Sequence, residues 1–335
     1  MVSFGYLGGH ISTKKHQNRI DKHYTIKENF SFFVIGSSLF GLFIVIWLVL
    51  RVHQVSVFGY LKMFLNFDSA IFLKREEILK TKEVSGIIKM FNVLPLAMFL
   101  LVKSLSFNLN FDKRSANKLH RLEFITLTIL ISKTFFTLDR LSILAIVTSY
   151  SYQFLKTKKI LSIKALVTLA ILILLGNRLS TSRLEDVNLF DFLILYFKSG
   201  IINFQILLDT YNNYTLGFNT FFSPLSFILK FLGIPMFSGV NYEWYWNPAQ
   251  YFTSYLFMDF QYGSILIYFL LGIFFKHIDN KVRNQSQLYS SIYFLLLFTV
   301  SSFMVVPFLR GMEFWLAIIW IFLTTKFFIK NETIL

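Results

Sequence analysis

Two runs without a single charged residue, the 21 residues Phe30–Leu50 and the 22 residues Leu288–Leu309, constrain this chain more than any other feature. About 20 apolar residues in helical form cross the hydrocarbon core of a bilayer, so each run is long enough to span. The rest of the chain agrees: of its 335 residues 55% are hydrophobic, 19% aromatic and only 15% charged, a balance that no water-soluble domain of this size carries. The expected fold class is all-α, a polytopic transmembrane helical bundle forming a single membrane domain over residues 1–335.

Further spans are expected at about Ile87–Val102, Phe124–Thr137, Leu141–Leu155, Ile160–Gly176, Phe260–Phe275 and Phe314–Ile329, which makes about eight. Several of these are short and need a terminal lysine (Lys89, Lys164, Lys326) to reach the headgroups. Lys133 lies deeper in its span. Residues 1–29 are polar and basic, with no apolar core and cleavage site, so no secretory signal peptide is expected there. The absence of cysteine excludes disulfides, thiolate metal sites and cysteine nucleophiles.

The formal net charge of +15 would point to nucleic acid in a soluble protein, but here its distribution points to the membrane. Residues 1–29 and 103–121 hold five Lys or Arg each, 156–164 four, 276–287 three and the tail after Thr325 two. With eight crossings all of these fall on one side, the cytoplasmic side by the positive-inside rule, together with both termini. The opposite side receives a large loop, 177–259, with four basic and six acidic residues. Residues 51–85, with six basic and four acidic residues, go against the rule at that side. Within the large loop Phe218–Phe237 is either a ninth span or an interfacial or re-entrant helix, and Lys230, Pro224 and Pro235 favour the latter. Asn188–Phe197 is apolar, too short to span and followed by Ser199-Gly200, so a position in the headgroup layer is expected. The external loop is thus partly membrane-embedded.

Nucleotide-binding loops, dinucleotide fingerprints and HExxH zinc sites are absent from the sequence, and the six histidines show no metal-ligand spacing. No metal or other cofactor is expected, and no nucleic-acid partner. His53 falls outside the cytoplasmic set and is a candidate base. Arg140, Arg178, Arg183 and Arg310 lie at or near outer ends of spans. Their planar guanidinium groups suit a pyrophosphate at the membrane surface, or they anchor helices in lipid headgroups. The stretch GVNYEWYWNPAQYFTSYLFMDFQYG, Gly239–Gly263, mixes Tyr242, Trp244, Tyr245, Trp246 and Tyr251 with Asn241, Glu243, Asn247 and Asp259. An aromatic belt accounts for the rings. Rings covering the apolar face of a sugar, with carboxylates and amides on its hydroxyls, account for all of them.

The run NPAQYFTSYLFMDFQYGSILIYFLLG, from Asn247 through Asp259-Phe260, Gly263 and Gly272, resembles the segment that enters a late transmembrane helix in bacterial O-antigen polymerases of the Wzy type. Two further pieces resemble the family in the same order: Thr137–Lys159, where Arg140 opens a span ending in a basic turn, and Tyr196–Leu207 (YFKSGIINFQIL). The resemblance covers about residues 30–330. It departs at Gln261, where the family commonly has the Gly of Asp-Phe-Gly. It departs also in span number, and the start VSFGYLGGHISTKKH looks like the end of an upstream helix, so the chain is expected to lack the family's usual first helices.

The resemblance implies a multi-pass protein of the bacterial cytoplasmic (inner) membrane. Its substrates would be undecaprenyl-pyrophosphate-linked oligosaccharides, one glycan being moved to the non-reducing end of another in O-antigen, capsule or exopolysaccharide synthesis. Membrane lipids, a chain-length regulator and a flippase are the implied partners. Growing negative charge on the pyrophosphate leaving group calls for the arginines. The attacking hydroxyl calls for a base, with Asp259 first and Glu243, Asp191 and His53 behind it. Asp259 has an alternative reading as the cap of the helix that follows it. An O-antigen ligase, and a flippase or transporter of lipid-linked oligosaccharide, are the competing functions.

Overall fold

The computed structural model describes residues 23–66, 88, 90–137, 140–157, 189–210, 216–234, 252–301, 309 and 311–332. In chain order the elements are β1 (His23–Ile26), α1 (Phe30–His53), α2 (Val57–Leu65), a 3-10 turn (Phe91–Val93) leading into α3 (Leu94–Asn108), α4 (Lys113–Thr137) and α5 (Arg140–Thr157). Then come α6 (Leu189–Thr210), α7 (Phe222–Phe231), α8 (Phe252–Phe260), a second 3-10 turn (Gln261–Gly263), α9 (Ser264–Arg283), α10 (Gln287–Ser301), α11 (Met312–Phe328) and β2 (Ile329–Glu332). Among the described residues three stretches are long and apolar enough to cross a membrane: Phe30–His53, Phe91–Asn108 and Tyr255–Arg283. The expected span at Ile160–Gly176 lies outside the described residues.

α3 is the centre of the bundle. Every residue from Leu94 to Leu105 is buried, as befits a helix whose first nine residues are apolar on all sides, and α1, α4, α5, α10 and α11 pack around it. Pro95 sits in its first turn, where a missing N–H costs no hydrogen bond. The closest approach is at Gly41 of α1: a Cβ there would stand 2.5 Å from Pro95 Cδ and 2.8 Å from the Phe91 carbonyl oxygen, so only glycine fits. α9 behaves in the opposite way. Ile265, Leu266, Phe269, Leu270, Ile273 and Phe274 remain exposed along it, an apolar face of the kind that lipid covers.

One end of the bundle is clipped together by backbone. β1 and β2 pair antiparallel with His23 opposite Glu332 and Ile26 opposite Ile329. The Tyr24 N–H donates to the Asn110 carbonyl at 3.0 Å and its hydroxyl to the Gln285 carbonyl; burial pushes that hydroxyl's pKa up. Lys118 donates to the carbonyls of Lys27 and Glu28, and Gln287 to those of Thr325 and Ile329. The segments before α1, between α3 and α4, between α9 and α10 and after α11 therefore meet at one end. They belong to four of the five basic stretches that the charge pattern groups on one side.

Several expected boundaries move. α3 runs on to Asn108, so Lys103 belongs to a helix and not to a basic loop. It is 2% exposed because it has partners: its ammonium donates to Glu123 of α4 and Gln153 of α5 and lies 3.9 Å from the centre of the Tyr150 ring. The Tyr150 hydroxyl donates to Glu123 at 3.1 Å, closing the cluster. A buried charge survives where an opposite charge and hydrogen bonds replace its water. α4 begins at Lys113, well before Phe124. Its start is set by Asp112, whose carboxylate accepts the N–H groups of Arg114 and Ser115 at 3.1 and 3.2 Å, the usual way an aspartate opens a helix. The Ser115 hydroxyl first, and these amides with it, hold the Asp112 carboxyl below its ordinary range.

α6 is a second correction, because it continues through Ser199-Gly200 for 22 residues. A helical glycine costs only about 1 kcal/mol against alanine, and packing of Phe204 and Leu207 against α8 outweighs it. α7, by contrast, has ten residues. At 1.5 Å per residue that is about 15 Å, half a hydrocarbon core, so it does not cross by itself.

Candidate functional site

The end of the bundle opposite the strand pair is where α9 and α11 begin and where α1 and α4 finish. Two of the stretches that carry the family resemblance come together there. α6, which contains Tyr196–Leu207, and α8, which contains Asp259-Phe260, share a small apolar cluster of Leu207, Phe257 and Met258 with Phe204 and Tyr255 against it. Phe204 meets Phe257 edge to face with ring centres 5.8 Å apart. This contact needs aromatic residues on matching faces of α6 and α8, and it places Asn203, which is fully buried, near the same junction.

Asp259 is the organising charge of the junction. It is 0% exposed, and its two carboxylate oxygens accept the consecutive backbone N–H groups of Asn219 and Thr220 at 2.9 and 2.7 Å. Its own carbonyl accepts the Leu216 N–H at 3.2 Å. The turn 216–220 is shaped for this: Leu216 has φ 47° and Gly217 φ 91°, left-handed conformations of the kind that aim successive amides at one anion. At Gly217 a side chain would also meet Phe221 and Phe260, each 3.6 Å from the added carbon. Phe221 continues the contact to Trp315 in the first turns of α11, with ring centres 6.3 Å apart. Asp259 thus ties α8 to the turn before α7, and Phe221 ties that turn to α11.

That corrects the expected alternative role of Asp259 as a cap. The helix after it begins at Ser264, with Gly263 in the capping position and no side-chain cap. The carboxylate instead serves a turn some 40 residues earlier in the chain. Thr220 of this turn and Ser226 of α7 are buried, and their hydroxyls have no hydrogen-bond partner among the described residues. The junction therefore holds a fixed, fully buried carboxylate with a backbone amide on each oxygen and, in the turn it holds, the buried Thr220 hydroxyl. Asn219, Thr220 and Ser226 were not among the candidates; they sit inside the apolar run Phe218–Phe237, where a few small polar residues are the signal that sequence offers.

Gln261, where the family resemblance departs, has φ 44°. The chain makes the same kind of left-handed turn that a glycine takes without strain, using a residue that does not favour it.

The remaining candidates divide clearly. His53 ends α1, is buried, and packs edge-on against Tyr60 with ring centres 5.4 Å apart. Tyr60 donates its hydroxyl to the Phe136 carbonyl at 2.9 Å, and its pKa is pushed well up by burial. His53 therefore belongs to a different apolar cluster from Asp259, that of Ile44, Val45, Leu48, Val49 and Tyr60. Arg140 opens α5 and Asp191 lies in the first turn of α6, with side chains outside the described set. Arg178, Arg183, Arg310, Tyr242, Glu243, Trp244, Tyr245, Trp246, Asn247 and Tyr251 lie outside the described residues. No group of three or more His, Cys, Asp or Glu able to hold a metal occurs among the described residues. Neither a protein-family model, nor a curated protein, nor a solved structure matches this chain.

Proposed function

We propose that this chain is a polymerase of lipid-linked oligosaccharide repeat units, similar to the O-antigen polymerases of the Wzy type. It crosses the bacterial cytoplasmic membrane eight times with both ends in the cytoplasm, and its reaction takes place at the outer surface. The observation that carries the reading is the junction at Asp259. Two of the stretches that resemble the family meet there, around a buried carboxylate, at the end of the bundle away from the basic segments. Asp259 is the first choice of base, with Glu243, Asp191 and His53 as the others. Arg140, Arg178, Arg183 and Arg310 are the proposed pyrophosphate ligands, and the rings of Tyr242, Trp244, Tyr245, Trp246 and Tyr251 with Asn247 form the proposed sugar platform.

The chemistry this requires is a glycosyl transfer. The acceptor hydroxyl oxygen forms a bond to the anomeric carbon of the donor sugar while that carbon's bond to the pyrophosphate oxygen breaks, the electron pair leaving with the phosphate. The hydroxyl proton passes to the carboxylate, and fixed guanidinium groups stabilise the charge on the leaving group. Purified protein mixed with synthetic undecaprenyl-pyrophosphate-linked repeat units is expected to give a ladder of lengthening glycans. Conjugates to lipid A would replace this reading by a ligase. The buried Lys103–Glu123 pair favours one second reading, transport of the same substrates, because ionisable groups inside a helix bundle mark substrate and proton paths; movement of labelled substrate across vesicles without any product would select it.

A further inference from the structure

At the clipped end, between α1 and α11, an open groove of about 890 Å³ is lined by Lys27, Glu28, Asn29 and Lys330 at its mouth and by Phe33, Trp320, Leu323, Phe327 and Phe328 along its floor. We propose that this groove binds one anionic phospholipid, with its phosphate at the lysines and an acyl chain along the aromatic floor. The site is independent of the polymerase reading.

The floor is built, not incidental. Phe33 stacks on Trp320 with ring centres 5.9 Å apart and planes 17° from parallel, and it meets Phe328 at 5.0 Å. The Trp320 indole N–H donates to the Ser37 hydroxyl at 3.2 Å, so its polar edge is satisfied within the protein and its ring is left to apolar contact. Leu323 and Phe327 stay exposed. An apolar trough running along two membrane helices takes a hydrocarbon chain.

The mouth has the complementary charge. Lys27 and Lys330 are exposed on either side of it, held in place because the Lys27 N–H donates to the Phe328 carbonyl at 3.0 Å and β1 pairs with β2. Glu28 is the one carboxylate lining the groove among the described residues, and Lys118 lies against its backbone carbonyl and offsets it. The first turn of α1, which follows Asn29 of the mouth, carries no acidic residue and no side-chain cap to offset the positive end of that helix dipole. Two ammonium groups and an amide gathered over an apolar trough, with the one nearby carboxylate offset by Lys118, fit a phosphodiester with its acyl chain below. A zwitterionic headgroup would bring its own cation into this field.

Native mass spectrometry of the intact protein, released from phosphatidylcholine nanodiscs doped with phosphatidylglycerol, tests the site. One phosphatidylglycerol is expected to be retained in preference to phosphatidylcholine. The double change Lys27→Gln with Lys330→Gln should lower that preference by on the order of ten- to thirty-fold, since each lysine near an anionic headgroup contributes roughly 1 kcal/mol. Lys113→Gln with Arg114→Gln removes as much exposed charge at the same end, outside the groove, and should leave the preference within about two-fold. In the same nanodiscs, brominated phosphatidylglycerol should quench tryptophan emission more than brominated phosphatidylcholine, and Trp320→Phe should abolish the difference. Equal loss in both double variants, or quenching that ignores the headgroup, would overturn the proposal and leave only general attraction of anionic lipid to a basic end.

Discussion

Asp259 gives both carboxylate oxygens to backbone amides, and that geometry fixes what its replacement does. Asparagine offers one accepting oxygen, and its amide nitrogen would face an N–H donor across the other bond. Asp259→Asn is therefore expected to cost about 1–3 kcal/mol, the usual penalty for an unmet buried group, and to show as a lower melting temperature in detergent. Chain growth should be lost beyond the loss of folded protein. Full-length polymer per folded molecule would leave Asp259 with the turn alone and pass the base role to Glu243, Asp191 or His53. Gln261 gives the opposite expectation. Its left-handed φ of 44° costs an L-residue about 1–2 kcal/mol, against roughly 0.5–1 kcal/mol of chain entropy lost by a glycine. Gln261→Gly should raise stability by about 0.5–1 kcal/mol, and a fall in melting temperature would show that the glutamine side chain holds the turn. The departure at this position was visible in the sequence, but its backbone conformation was not, because φ is imposed by the packing of α8 and α9 on either side.

Among the elements, α3, α4 and α5 are held to one another by the Lys103–Glu123–Gln153 cluster. Lys103 is 2% and Glu123 14% exposed, so removing one partner strands a charge in the bundle. Lys103→Met alone is expected to destabilise by about 3–5 kcal/mol, while Lys103→Met with Glu123→Leu should recover most of the loss. A double variant as unstable as the single one would mean that hydrogen bonds, not charge, hold the three helices. The start of α4 titrates. Asp112 is held below its ordinary range by the groups it accepts from, so its cap contributes stability at pH values above about 3.9, the free aspartate value, and loses it as pH falls through the lower folded value. Amide exchange at residues 114–116 should accelerate over that acid window in the native protein. Asp112→Asn keeps the cap and should flatten the response; an unchanged acid response would place its origin elsewhere. The cap was open to sequence reading, since Asp112 stands two residues before Arg114 at the head of a helical pattern. The buried lysine was not, because a lysine flanking an apolar run ordinarily reaches for water.

For the whole molecule, the backbone clip and the direction of each helix define which segments share an end. Reporter fusions at Ser286 and Leu335 are expected to give the same sign, and a fusion at Asn213 the opposite one. A cytoplasmic signal at Asn213, or opposite signs at Ser286 and Leu335, would remove the proposed eight-crossing topology and the proposed outward position of the Asp259 junction. The sequence by itself determined what depends on neighbours along the chain: the charge-free run Phe30–Leu50 that becomes α1, the helix from Gln287 to Ser301 that takes up most of the second run, and the basic segments that meet at one end. Burial of an uncharged run and the sign of a loop are local sums, so they survive without knowledge of the fold. Only the tertiary structure decided which distant groups satisfy one another: Lys103 with Glu123 and Gln153, Asp259 with a turn some 40 residues upstream, and His23 with Glu332 across almost the entire chain. A buried polar atom must find its partner wherever the packing of helices brings one within about 3 Å. That distance is a property of the assembled bundle and of no shorter piece of it.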